Sequence, residues 1–150
     1  KKTARGRFFC GRCRPLTGFD PTMLRLSLLF AALGGATAVM LGAFGAHALE
    51  DVLTPARLAT FTTAVHYQMS HSLALLATGL LMLQWPAAKL LRASAALFML
   101  GIAIFSGSLY LLVATDLGWL GAITPIGGTA MIAGWLLLAA ALWRATGARG

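Results

Sequence analysis

Acidic residues are nearly absent from this chain: four Asp and Glu stand against twelve Lys and Arg in 150 residues, and charged residues of both signs make up only 11%. An ordinary soluble domain carries roughly 25%. With 59% hydrophobic residues, the composition excludes a disordered chain, and a free soluble fold of this length would leave large apolar patches in water. The few acids avoid the apolar stretches, which removes the intramembrane carboxylates that proton and cation relays use. Cysteine is scarce as well. Cys10 and Cys13 form a single C-x-x-C in a basic N-terminal stretch without histidine. A closed zinc site needs four ligands and a redox pair needs a βαβ context, so the two read as bystander thiols, with neither metal nor cofactor expected. Phosphate-binding loops are missing too, since no glycine cluster follows a strand pattern.

What the chain does have is four long runs free of Asp, Glu, Lys and Arg: Leu26–Ala46, Leu58–Gln84, Ala93–Thr115 and Ile126–Trp143. A hydrocarbon core of about 30 Å takes about 20 residues at 1.5 Å each. Short connections between the runs favour antiparallel neighbours. The expected fold is therefore all-α, an integral membrane bundle of four antiparallel transmembrane helices over about residues 24–47, 55–85, 88–115 and 125–144. Thr54-Pro55 and Thr124-Pro125 each offer a hydroxyl N-cap with proline at the first helical position, and Trp85-Pro86 stops the second span. Trp85, Trp119 and Trp143 fall near span ends, where indole suits the interface, while Trp135 lies within the fourth span.

The basic residues are sided. Arg25, Lys89, Arg92, Arg144 and Arg149 fall at one membrane face, and only Arg57 at the other, beside Glu50, Asp51 and Asp116. The positive-inside rule then places both termini in the cytoplasm, in a multi-pass protein of the cell inner membrane. Residues 1–22 hold six basic residues and one acid. They read as an extension preceding the membrane domain 23–146: either a disordered basic tail that touches anionic lipid, or sequence upstream of a natural start at Met23. The formal charge of +8 thus calls for no nucleic-acid partner. The bilayer is the expected partner, together with a homo-oligomer or a larger membrane complex. Ala46-His47-Ala48 imitates a signal-cleavage site, but the apolar stretch before it exceeds a typical signal core; the Arg-rich beginning resembles a transit peptide. Residues 147–150 form a short tail.

Ionisable groups inside spans are costly and mark candidate sites. At 100° per residue, Thr60, Thr63, Tyr67, His71, Ala74 and Thr78 share one line along the second span, predicted to face the bundle interior. Gln68 lies on the same broad side, and His47 ends the first span. Tyr67, Gln68, His71 and His47 form the candidate polar cluster, suited to holding a proton, a metal or a polar solute, or else to hydrogen bonding between helices. His66 falls on the far side, toward water. Small residues form packing stripes: Gly34, Ala38, Gly42 and Ala46 in the first span, Ser94, Gly101 and Ser108 in the third, and Gly127, Gly128, Ala130 and Gly134 in the fourth. The amides around Thr124–Thr129, read as a helix N-terminus, would suit an anion.

The phrases Gly42-Ala-Phe-Gly-Ala-His47, Tyr67-Gln68 with His71 and Leu73-Ala74-Leu75, Phe105-Ser-Gly-Ser-Leu-Tyr110, and Gly121-Ala-Ile-Thr-Pro-Ile-Gly-Gly128 occur in order. Together they resemble the small bacterial inner-membrane proteins of the YgdD and YwdK type (DUF423), which have a small eukaryotic transmembrane relative. The resemblance implies a four-helix membrane protein and no known reaction. Its recurrent polar positions fall on His47, Gln68, His71, Ser106, Ser108, Tyr110 and Thr124, and it covers Met23 to about Thr146. The expectation is a non-enzymatic bundle acting in a membrane assembly. The alternatives are an oligomeric small-solute or proton-linked carrier built on His47, Gln68 and His71, and a membrane-embedded metal-binding protein or enzyme.

Overall fold

A computed structural model describes residues 21–147, which form four helices: α1 (Pro21–His47), α2 (Pro55–Gln84), α3 (Lys89–Thr115) and α4 (Leu120–Gly147). Cys10, Cys13, Arg149 and the rest of the basic extension through Asp20 lie outside the described residues. α1 begins at Pro21, two residues before Met23.

The helix limits follow local chemistry. Thr54 sits in extended backbone and its Oγ1 accepts the Arg57 N–H at 3.4 Å, with Pro55 next, so α2 starts there. α2 ends at Gln84, because Pro86 pushes Trp85 out of the helical region (φ −129°, ψ 70°). α3 ends at Asp116, whose left-handed backbone (φ 61°) lets its N–H donate to the Leu112 carbonyl at 2.9 Å.

The start of α4 differs from the sequence expectation. It begins at Leu120, not Pro125, through i to i−3 bonds from Leu120, Gly121 and Ala122 to Leu117, Gly118 and Trp119. Pro125 lies inside the helix and offers the Gly121 carbonyl no N–H. Thr124 is consequently no cap: its hydroxyl turns back toward the Leu120 carbonyl at 3.3 Å and meets Ser108 at 2.8 Å. The amides of Thr124–Thr129 belong to a helix already under way, which removes the expected anion site at a helix N-terminus.

Contact registers set the packing. Gly34, Gly42 and Gly45 of α1 face Ser72, Val65 and Phe61 of α2. Arg57, Ala64 and His71 of α2 meet Val113, Ser106 and Phe98 of α3. Ser94, Gly101 and Ser108 of α3 meet Gly134, Met131 and Thr124 of α4. In each pair one number rises as the other falls, so successive helices are antiparallel. α3 is central, packing on both α2 and α4, while α1 packs mainly on α2. Small residues permit the closest approach: a Cβ at Gly127 would fall 2.8 Å from Phe105 Cα, and one at Gly134 3.0 Å from the Phe98 ring. Gly128 is looser, with the Phe105 ring 3.7 Å from its Cβ position, and Ala46 is exposed rather than packed.

Two apolar clusters form. One joins all four helices at the basic end, with Leu24, Leu75, Leu91, Phe98 and Leu138 among its members; the other holds Ala38, Phe61, Val65 and Val113 at the acidic end. A polar layer separates them. Among the described residues, α1, α3 and α4 are long and apolar enough to cross a membrane. α2 falls short although it is 30 residues long, because Thr60, Thr62, Thr63, His66, Tyr67, Gln68, Ser70, His71 and Ser72 crowd its first two-thirds.

Candidate functional site

The polar layer is built around Gln68, which is only 7% exposed. Its Nε2 donates to the Gly34 carbonyl at 2.8 Å and to Thr37 Oγ1 at 2.7 Å, and its Oε1 accepts from the Tyr110 hydroxyl at 2.9 Å. The carbonyl fixes which end of the amide is nitrogen, since it can only accept. One side chain thus ties α2 to α1 and to α3. Thr37 completes the layer by donating to the Leu33 carbonyl at 2.8 Å. Beside it Ser72 Oγ is buried under Gly34 without a hydrogen-bond partner.

His71 faces another way. Its Nδ1 lies 2.8 Å from the Tyr67 carbonyl, and its Nε2 accepts from Trp135 Nε1 at 3.3 Å, an arrangement that fits a neutral ring protonated at Nδ1. Tyr67 stacks on His71 (centroids 5.7 Å apart) and on Phe105 (4.4 Å), and Trp135 stands edge-on to Phe98 at 5.3 Å. Tyr67 and Trp135 remain 43% and 48% exposed, so this aromatic seam runs along the surface where α2, α3 and α4 meet. Trp135 lies at the edge of α4, not inside the bundle.

The expected single cluster is therefore divided. Tyr67 and His71 are together; Gln68 belongs to the α1–α3 side; His47 is exposed at the end of α1 and, among the described residues, joins none of the other three. The predicted inward line holds at its second half, where Ala74 and Thr78 are buried, but Tyr67 and His71 lie about 90° from the centre of the face α2 buries, which runs through Phe61, Ala64, Gln68, Ser72, Leu75, Gly79 and Met82. Helix α1 covers Gln68 and Ser72 and leaves Tyr67 at the rim. Ser106, Ser108 and Thr124 are buried: Ser106 donates to the Ala64 carbonyl at 2.9 Å, and Ser108 pairs with Thr124.

Sequence reasoning missed two partners. Thr37 has no role in the expected α1 stripe of Gly34, Ala38, Gly42 and Ala46, although it is a hydroxyl directly beside Ala38. Arg57 is expected only as the one basic residue at the outer face, beside Glu50, Asp51 and Asp116, yet it donates through Nη2 to the Val113 carbonyl and lies 3.8 Å from Asp116, clamping the start of α2 to the end of α3. Among the described residues no group of three His, Cys, Asp or Glu is placed to hold a metal ion.

Three long apolar helices and an interior held by serine, threonine and glutamine bonds to neighbouring backbones define a helical membrane protein. Comparison with known proteins narrows the class. Residues 41–128 match the family described as "Protein of unknown function (DUF423)". The chain is 41% identical over 124 residues to a UPF0382 membrane protein of Staphylococcus epidermidis, covering 83% of this chain and 100% of that one. It is 37% identical over 118 residues to the UPF0382 membrane protein YwdK of Bacillus subtilis (79% and 96%), and 38% over 114 to the inner membrane protein YgdD of Escherichia coli (76% and 86%). The chain belongs to this DUF423/UPF0382 family of membrane proteins, whose function is uncharacterised. No solved structure matches it.

Proposed function

We propose that the chain is a non-enzymatic inner-membrane protein of four spans, with both termini cytoplasmic, that works as a subunit of a membrane assembly and pairs first with a second copy of itself. The observation that carries this reading is the outer face of α2. Thr62, Thr63, His66 and Ser70 are exposed along one side of its first half, whereas the exposed side of its second half is Leu73, Leu76, Leu80 and Leu83. Thr63 returns its hydroxyl to the Ala59 carbonyl at 2.9 Å, but among the described residues the side chains of His66 and Ser70 have no hydrogen-bond partner. Lipid offers them none. Hydroxyls and a neutral imidazole both donate and accept, so two identical stripes meeting about a two-fold axis along the membrane normal pair without like-charge repulsion.

The antiparallel registers support four spans: if α1 and α3 cross, α2 between them returns. Arg25, Lys89, Arg92 and Arg144 then share the cytoplasmic end, and Glu50, Asp51 and Asp116 the other. The interior polar groups support a packing role, because Gln68, Ser94, Ser106 and Ser108 are spent on neighbouring backbone or side-chain partners.

Cysteine cross-linking tests the reading. With Cys10 and Cys13 replaced by serine, Ser70→Cys gives a covalent dimer on mild oxidation in native membranes, and Leu29→Cys on the exposed apolar side of α1 does not. Absence of the Ser70→Cys dimer, with monomer alone in native mass spectrometry, refutes the pairing. In the same background Asp51→Cys is labelled from outside the cell and Ala87→Cys only after permeabilisation; labelling of both from one side refutes the four-span topology.

A further inference from the structure

Between the end of α1 and the start of α2 lies an open cavity of about 330 Å³ that the polar layer does not use. Its size falls at the lower end of small-ligand sites. Gly42 and Gly45 leave it room on the α1 side. A Cβ at Gly45 would meet the Phe61 ring at 2.9 Å, so Phe61 packs directly against the α1 backbone, while a Cβ at Gly42 would find only Val65, at 3.5 Å. Phe61 and Val65 form the apolar wall, and Glu50 and His66 also line the space.

The charge around it is unbalanced. Glu50, Asp51 and Asp116 gather at this end of the molecule, and among the described residues the one Lys or Arg there, Arg57, is committed to Asp116 and the Val113 carbonyl. Among the described residues Glu50 makes no ion pair. A carboxylate that lines the same space as an apolar wall and a glycine floor is complementary to a cation with an apolar body: Glu50 pairs with the charge, and Phe61 and Val65 pack against the body. An anion is disfavoured by the same carboxylates.

We infer that this cavity is a binding site for a small organic ammonium compound, held by Glu50 and packed against Phe61 between Gly42 and Gly45. The excess of acid at this end disfavours a lipid headgroup that carries a phosphate next to its ammonium, so the ligand is a free amine. Thr62 and His66 of the α2 stripe border this cavity as well, but Glu50 and Phe61, which carry the inference, lie outside that stripe, so it does not rest on the pairing.

Titration calorimetry on the purified full chain in an uncharged detergent at pH 8 tests it. Phenethylammonium and phenethyl alcohol share a body and differ in charge. The wild-type chain binds the amine at least about tenfold more tightly than the alcohol, Glu50→Gln abolishes that preference, and Ala46→Leu, which narrows the mouth from an exposed position, weakens both. Unchanged thermal unfolding of Glu50→Gln without ligand, and unchanged Ser70→Cys cross-linking in that background, separate loss of the site from loss of fold or assembly. Equal binding of amine and alcohol, no heat with either, or a Glu50→Gln variant that keeps the preference overturns the inference. In bilayer discs, phosphatidylethanolamine that displaces the amine while phosphatidylglycerol does not would overturn the free-amine assignment in favour of a lipid headgroup.

Discussion

Adjacent glycines in α4 provide the sharpest test of how the helices are held. Replacing Gly127 with alanine adds a Cβ 2.8 Å from both Cα and Cβ of Phe105, and nearer still to its backbone nitrogen. Backbone cannot rotate away as a side chain can. Carbon contacts are comfortable at about 3.5–4.0 Å, so α3 and α4 must part by about 1 Å at this level. That shift stretches the neighbouring Ser108–Thr124 bond from 2.8 Å beyond hydrogen-bond range and loosens the Met131 contact with Gly101. Overpacking costs about 1–3 kcal/mol and the lost bond about 0.6 more, against about 1 kcal/mol gained in helix propensity. The net expectation is a loss of about 0.6–2.6 kcal/mol. Gly128→Ala is the internal control: its Cβ would sit 3.7 Å from the Phe105 ring, an ordinary contact, so the propensity gain leaves it neutral or slightly stabilised. Reversible unfolding in mixed micelles, followed by circular dichroism with increasing denaturing detergent, measures both. If Gly127→Ala is as stable as Gly128→Ala, backbone contact between α3 and α4 is not what the small residues provide.

Gln68→Leu orphans the Tyr110 hydroxyl and removes the bonds to Gly34 and Thr37; a loss of about 1–3 kcal/mol in the same assay is expected, and stability equal to wild type would show that the polar layer contributes nothing. Asp116→Val places a β-branched residue at φ 61° and breaks the pair with Arg57; a loss of about 1–2 kcal/mol is expected, with Asp116→Asn close to wild type, and the reverse order would refute the left-handed cap.

The helices themselves were readable because their signals are local. Thr54-Pro55 and Trp85-Pro86 act within one turn of chain, and the limits of α2 follow from them. The same signal misleads at Thr124-Pro125. There Leu117–Trp119 can open the helix five residues earlier through i to i−3 bonds, and Ser108, sixteen residues away, offers the Thr124 hydroxyl a better partner than the amide it would have capped. Small-residue spacing identified Gly34, Ala38, Gly42, Gly101, Gly127 and Gly134 as packing positions. Nothing in the spacing separates Gly127, pressed on backbone, from Gly128, facing a ring.

The candidate polar site was legible in its membership and not in its geometry. Periodicity places Tyr67, Gln68 and His71 on one broad side of α2, but a helix carrying polar groups over so wide an arc has no single inward direction. Which of them is buried depends on where α1 and α3 come to rest, and Gly34 decides this by letting α1 settle over Ser72 and Gln68. Composition and charge placement, by contrast, determined that the chain is helical and lipid-facing, where it breaks, and which end is basic, because burying charge in lipid and leaving backbone unpaired are penalties set residue by residue. Tertiary structure alone decided that Gln68 is a three-helix junction, that His71 answers to Trp135, and that Glu50 overlooks a cavity, since each of those depends on helix contacts between residues far apart in the chain.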